Sequence, residues 1–426
     1  MLWSTRIAAI IGLVAFTPSA MAQRGDVEVR RASQLDYPEQ APSVDQALDR
    51  LDRNQPWIHA ADAHAPRFSS SGRPAILLTG YWPPTNEGVR KFSPDPVQNP
   101  GGWQGSNWEN RGYDVYSYFP EFNPPDCANC GKGHGDLEVD YQDTSLDFWP
   151  IAWNIRPIAV ITFSRGSWDN SWEVEINQYN RTYWIPDYLD PRRPTPEPPD
   201  DTRADDALIE SSLPVQDIVD AVNQAGLGIN GYVNWTGDGG GFLSEFIAYH
   251  GVWYRENHAS PADPDWCVAA GHVHVGHGVS WPKTILAVDI TLRTVADYVD
   301  TVVAATVCQT DLGFGGPGAA LLTVCGDPLA SGGNADLMVS YGPPEGVGVL
   351  LAGTSFQPTP WHGGTVVPVP VWNYRSFRFD PNGRWLWPQI GGGLGPISVY
   401  TQAVYRDASQ PQGYGFSNAI RVDFLP

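Results

Sequence analysis

Asp238-Gly239-Gly240-Gly241-Phe242-Leu243-Ser244-Glu245-Phe246-Ile247-Ala248-Tyr249, residues 238–249, runs three glycines into a hydroxyl side chain and then into an amphipathic segment. Glycine accepts the positive φ of a tight turn, so the chain can swing straight into a helix whose first amides lack an intrahelical acceptor. A side chain on that first turn lies in the positive end of the helix field, a good position for a nucleophile and for stabilising an oxyanion. By pattern alone such a run is more often an ordinary turn. A second stretch, Gly271-His272-Val273-His274-Val275, sets this one apart. It reads as a short strand with two histidines on one face.

Working outward, residues 229–233 read as the strand feeding the glycine turn. Before it, Val215, Ile218, Val219 and Val222 fall at i, i+3, i+4 and i+7 of a helix, with Gly226 as its stop. Residues 75–78, 158–163 and 268–275 are apolar runs of buried-strand length. Residues 287–303 form a closing helix with Leu292, Val295, Ala296 and Val299 on one face. Strands alternating with helices imply an α/β fold, a layered, mostly parallel sheet flanked by helices. Beyond about residue 326 the pattern turns to short alternating strands between Gly, Pro and Asn turns, which implies an all-β sandwich.

In that order the motifs resemble the pyroglutamyl peptidase I family of cysteine peptidases. The family carries Ala-Gly-x-Tyr-Leu-Cys-Asn at its nucleophile and Gly-Phe-x-His-Val-Pro at its base. Here Gly240-Gly241-Phe242-Leu243-Ser244-Glu245 and Gly271-His272-Val273-His274-Val275-Gly276 lie over them, with Ser244 at the Cys position, Glu245 at the Asn and Gly276 at the Pro. Thr79-Gly80-Tyr81-Trp82-Pro83-Pro84 resembles the family's Thr-Gly-Phe-x-Pro-Phe loop, which implies that Tyr81 contacts substrate while Pro84 replaces the second aromatic. Glu175, five residues before Asn180, matches the family's third triad member, and Glu173 shares its strand face as the alternative. Ile185-Pro186-Asp187 supports the register. The resemblance spans roughly residues 73–305. It implies a Ser244-His274-Glu175 triad, with Gly240, Gly241 and the turn amides of residues 239–243 around the oxyanion. The substrate it implies is a peptide or small amide bearing an N-terminal pyroglutamyl or related group. The departures keep open an alternative, a catalytically inactive binding protein on the same fold.

The chain has 426 residues, 42% hydrophobic, and a formal net charge of -21. That length supports packed cores in more than one domain. The acidic balance excludes a nucleic-acid-binding surface, which needs a basic patch. Residues 1–22 carry Arg6, an apolar run and Ala20-Met21-Ala22, which together read as a signal peptide. No later run suits a membrane span, so the expected location is secreted or periplasmic. The expected organisation continues with a polar extension at 23–72, the α/β domain at 73–307, a linker at 308–325 and the β-sandwich at 326–426. Residues 189–210, rich in Pro and acid, read as a surface insertion.

In an exported protein Cys127-Ala128-Asn129-Cys130 reads as a loop-closing disulfide, and Cys308 with Cys325 as a second. Cys267 is left over, either a buried structural thiol or a surrogate nucleophile. His272, His274 and His277 form an H-x-H arrangement that zinc can use. No carboxylate stands near them in sequence, and the resemblance accounts for His274 without metal, so no cofactor is expected. Trp361, Trp372, Trp385 and Trp387 are of the kind that stack on sugars, a surface or glycan contact for the C-terminal domain, with core packing as the default.

Overall fold

The computed structural model describes residues 73–127, 131–166 and 169–426. The signal peptide, the 23–72 extension and Cys130 lie outside the described residues.

β1 (Ala75–Tyr81) leads through α1 (Thr85–Val89) to β2 (Asp114–Tyr118) and a small β3 (Pro120–Glu121) and β4 (His134–Gly135) pair. α2 (Tyr141–Ile155), β5 (Ala159–Arg165), β6 (Ser171–Tyr179), β7 (Leu208–Glu210), α3 (Val215–Gln224), β8 (Asn230–Asp238), α4 (Leu243–Asn257), β9 (Ala269–Val275) and α5 (Trp281–Ala305) follow. The strands form one sheet in the order β2-β1-β5-β9-β6-β7, with β8 on β6. β1, β2, β5 and β9 run parallel, while β6 is antiparallel to β9 and parallel to β8. The sheet is therefore mixed but mostly parallel.

Strand alternation divides the core. Ile76, Leu78, Ile161, Phe163, Val273, Val275, Trp172 and Val174 face α1, α3 and α5. Leu77, Tyr81, Val160 and Ala270 face α2 and α4. α3 ends as its pattern implies, with Gly226 at φ +65°. α5 buries Leu292, Val295, Ala296 and Val299 but begins six residues before the expected start.

Residues 189–210 are more than a surface insertion. Their last three form the edge strand β7, and Asp200 is buried with its backbone N–H donating to Asn180 Oδ1.

The C-terminal region is all-β. β10 (Val307–Cys308), β12 (Leu321–Gly326), β13 (Asn334–Ser340) and β18 (Trp385–Gly391) form one sheet. β11 (Thr310–Gly313), β14 (Val347–Gly353), β17 (Asn373–Arg378), β19 (Ile397–Arg406) and β20 (Tyr414–Phe424) form another, beside the hairpin of β15 (Phe356–Trp361) and β16 (Gly364–Pro368). Leu322, Val324, Leu337 and Val339 of the first sheet share a core with Leu350, Phe377, Ala403 and Ile420 of the second. Residues 308–325, expected as a linker, supply strands to both sheets instead. Cys308 and Cys325 face each other across β10 and β12 and are disulfide-bonded. Cys127 is also disulfide-bonded, its expected partner Cys130 lying outside the described residues. Trp385 stacks on Phe377 with ring centroids 4.5 Å apart, whereas Trp361 and Trp372 are exposed.

The two regions are joined by polar contacts from residues 257–265. Arg384 Nη1 donates to Asp263 Oδ2 at 3.1 Å and to Asn257 O at 3.3 Å, and Ser260 Oγ donates to Asp336 Oδ2 at 2.8 Å. Ala262, Cys325 and Met338 pack together beside them.

Candidate active site

Register places a polar ladder on the face that α4 covers. Thr79, Thr162, His272 and Glu175 pair in one row; Tyr81, Ser164, His274 and Glu173 pair in the next, at the carboxyl end of β1, β5 and β9. Residues two apart on a strand share a face, so both histidines and both glutamates point to the same side.

α4 runs antiparallel to β5 and β9. At its end the Cys267 N–H, just before β9, donates to His258 O at 2.9 Å. Halfway along, a Cβ at Gly251 would stand 3.3 Å from Thr162 Cγ2 and 3.4 Å from Val160 Cγ1, so the glycine lets the helix lie close on β5. Ser244 is two turns earlier. That is ~10.5 Å of helix, or about three strand residues, which brings it level with Ser164 and His274. The Ser244 side chain is nearly buried and its hydroxyl has no hydrogen-bond partner among the described residues.

His274 Nδ1 stands 2.8 Å from Glu175 Oε1 and 4.0 Å from Glu173 Oε2. Geometry thus distinguishes the two carboxylates. Glu173 is engaged elsewhere, accepting from Asn234 Nδ2 at 2.7 Å. Glu175 is 1% exposed, and apart from the His274 contact its oxygens have no partner among the described residues. Burial pushes the His274 pKa down, but the Glu175 charge and hydrogen bond outweigh it, with help from Glu173 and Glu245, and the net shift is upward. With Nδ1–H turned to the carboxylate, Nε2 is left as the basic nitrogen.

His272 is held differently. The Thr162 hydroxyl donates to Gly271 O at 3.2 Å and accepts from His272 Nδ1 at 2.7 Å, and the Ser164 hydroxyl donates to Nε2 at 2.8 Å. Burial and the neighbouring His274 hold its pKa well below the usual range, so it stays neutral. Glu175, His272 and His274 offer three ligand atoms within 4.8 Å of one another, which corrects the expectation that no carboxylate stands beside the H-x-H pair. Glu175 arrives from β6, nearly a hundred residues away in sequence. Both His272 nitrogens are hydrogen-bonded to hydroxyls, and Glu175 is paired with His274.

The glycine turn behaves only partly as expected. Gly240 and Gly241 adopt φ +83° and +69°. The Gly241 N–H is not available to an oxyanion, because it donates to Glu245 Oε2 at 2.7 Å. Glu245 is fully buried and also accepts from Arg181 Nε at 2.7 Å and Tyr179 N–H at 3.2 Å. It therefore locks the turn onto β6. Phe242 cannot cap α4, and the amides of Leu243 and Ser244 have no acceptor among the described residues. Removing Glu245 takes a buried carboxylate away from the Arg181 guanidinium and from the Gly241 and Tyr179 amides. Glu245→Ala is expected to lose about 3–5 kcal/mol of stability, read as the shift in denaturant unfolding; a loss below ~1 kcal/mol would show that the pair is only a surface contact.

Tyr81 does not present an open ring. It is fully buried, its hydroxyl bonded to Thr144 Oγ1. The neighbouring Trp82 was not singled out in the sequence. Its indole N–H is buried without a hydrogen-bond partner among the described residues, and the Arg165 guanidinium lies 5.3 Å over its ring. Cys267 is fully buried, burial pushes its thiol up to about 12, and it lies at the opposite end of β9 from His274. It is a structural thiol, not a surrogate nucleophile.

Asp187, from the Ile-Pro-Asp stretch, accepts from the N–H groups of Tyr141 at 3.2 Å and Leu189 at 3.3 Å. Burial, then Asp140, pushes its carboxyl up to about 7. The folded pKa exceeds the unfolded one, so the contribution to stability is full below about pH 4 and is lost as pH rises through about 7. The Tm advantage of Asp187→Asn over the wild type should therefore grow from about pH 5 to about pH 8; a constant difference would contradict this role.

Among the described residues no helix is long and apolar enough to cross a membrane. No protein-family model and no curated protein matches the chain. Among solved structures it is similar to the pyrrolidone carboxyl peptidase from Thermococcus litoralis, with 15% identity, 54% of this chain and 96% of that chain covered, and a TM-score of 0.38. It is likewise similar to pyroglutamyl peptidase I from Bacillus amyloliquefaciens, with 16% identity, 53% and 98% covered, and a TM-score of 0.37.

Proposed function

We propose that the protein is an exported amide hydrolase that removes an N-terminal pyroglutamyl or related acyl group from peptides. The observation that carries this reading is the His274 imidazole, paired through Nδ1 with buried Glu175 at 2.8 Å, on the face that α4 covers and at the level where α4 brings Ser244. Nucleophile, base and orienting carboxylate are the parts that acyl transfer needs.

In the proposed reaction Ser244 Oγ bonds to the scissile carbonyl carbon as His274 Nε2 takes its proton. Glu175 stabilises the imidazolium. The uncapped amides of Leu243 and Ser244, at the positive end of α4, carry the oxyanion, since Gly241 is already engaged. Collapse of the intermediate breaks the C–N bond, His274 returns the proton to the leaving amine, and water activated by His274 releases the acyl group. Serine gains less than cysteine from a helix terminus, because its proton leaves only in the transition state, so this version depends on the base. The choice of pyroglutamyl rests on the order of sequence motifs. The buried Tyr81 ring and Pro84 point to a pocket that differs from the family's, hence a related rather than an identical acyl group.

The test is incubation with pyroglutamyl and simple acyl coumarylamides, following coumarin release and the mass of the peptide that contains Ser244. Release with an acyl adduct on that peptide supports the reading. Neither release nor adduct with any of them overturns it in favour of a binding role.

A further inference from the structure

We propose that the groove between the α/β and all-β regions binds a neutral oligosaccharide. A cavity of about 590 Å³ opens there, with Trp149, Trp153 and Trp253 lining it from the α/β side and Asp380, Asn382 and Arg384 from the all-β side. The aromatic wall comes from the helices. Trp149 and Trp153 sit four residues apart on α2, on one helix face, with ring centroids 5.9 Å apart and planes 34° apart. Trp253 of α4 meets Trp149 edge-on at 4.7 Å. Trp153 is 61% exposed although an indole is among the most favourable groups to bury. A partly open indole that lines a cavity is a ready stacking surface.

The opposite wall is a turn held rigid. Asp380 Oδ1 accepts the N–H groups of Asn382 and Arg384, each at 2.8 Å, which shapes the segment between β17 and β18. Arg384 is pinned in turn by Asp263 and Asn257 O. The exposed Asn382 adds an amide to this side of the cavity, while Asn257 and Thr202 place polar groups beside the tryptophans.

A sugar ring has this same division. Its C–H faces pack on an aromatic plane while its hydroxyl rim needs fixed partners of both kinds. An apolar ligand would leave the polar wall unpaired, and the loss on burying it counts against that occupant. The Arg384 charge is already answered by Asp263, which leaves Asp380 as an acidic group in the lining and disfavours a polyanion. The site uses none of Ser244, His274 and Glu175, and the inference stands or falls apart from the proposed hydrolysis.

The test is calorimetric titration of the full chain with cellohexaose, maltohexaose, xylohexaose and N-acetylchitohexaose, repeated with Trp153→Ala, Asn382→Ala and Trp372→Ala. The expected result is saturable binding of at least one of them, about tenfold or more weaker in Trp153→Ala, reduced in Asn382→Ala and unchanged in Trp372→Ala, whose indole is exposed on the all-β region. Thermal melts confirm that each variant folds, which the exposure of the three side chains favours. Binding of none of the four sugars overturns the proposal. Loss in Trp372→Ala with retention in Trp153→Ala overturns it as well, because the sugar then sits elsewhere.

Discussion

Replacing Ser244 by alanine is expected to lower kcat for amide cleavage on the order of 10⁵- to 10⁶-fold, the scale on which serine hydrolases lose turnover without their nucleophile, while thermal melting stays close to the wild type. The exchange deletes one oxygen that has no hydrogen-bond partner among the described residues, so folding loses little. Catalysis loses the bond-forming atom, and His274 and Glu175 cannot compensate. Ser244→Cys is the informative companion. A thiol on the first turn of α4 gains from the helix field and from an imidazole already aimed by a carboxylate, so it should keep measurable turnover. Full activity in the alanine variant would place the nucleophile elsewhere.

Glu175→Gln should lower kcat by about 10⁴-fold, the cost of disturbing the orienting acid in a triad, and should also move the pH profile. The base must be unprotonated, so activity rises with pH through the His274 pKa. In the wild type burial lowers that pKa, but the charge and hydrogen bond of Glu175 together with the Glu173 and Glu245 charges outweigh it, and the acid limb of kcat/KM is expected above the ordinary 6.5. Glutamine keeps the burial and removes the charge, which moves the limb to lower pH. Glu173→Gln, whose carboxylate is 4.0 Å from Nδ1 and bonded to Asn234, should shift it far less. Equal shifts in the two variants would contradict the assignment of Glu175.

Local pattern made much of this architecture legible. The strands at 75–81, 159–165 and 269–275 are apolar runs between turn residues, and α3 and α5 show helical periodicity. α2 escaped because Pro150 lies within it and its tryptophans line a groove, which blurs the apolar stripe. β2 escaped because Asp114 and Ser117 interrupt a run that burial on both faces would otherwise keep apolar. At the site, Ser244 and His274 were visible as residues at a turn and on a strand. The choice between Glu173 and Glu175 was not, since strand spacing gives both the same face and only the cross-strand diagonal separates them. The capture of the Gly241 amide by Glu245 depends on Arg181 and Tyr179, and no local signal links these residues.

Arg384 supplies a different kind of information. It stands on the all-β region, yet its charge answers Asp263 and, at 3.6 Å, Asp265, carboxylates that precede strand β9. Asp263 is 4% exposed, and burial there is offset by His258 and this guanidinium. The all-β region is thus the source of a counter-ion that the α/β half requires in order to bury its own acid. Cutting the chain at residue 306 would leave a half whose interior electrostatics are unbalanced, and grafting the all-β region onto another protein would carry away a cation selected for this one. The two parts are neighbours by connection but a single molecule by charge.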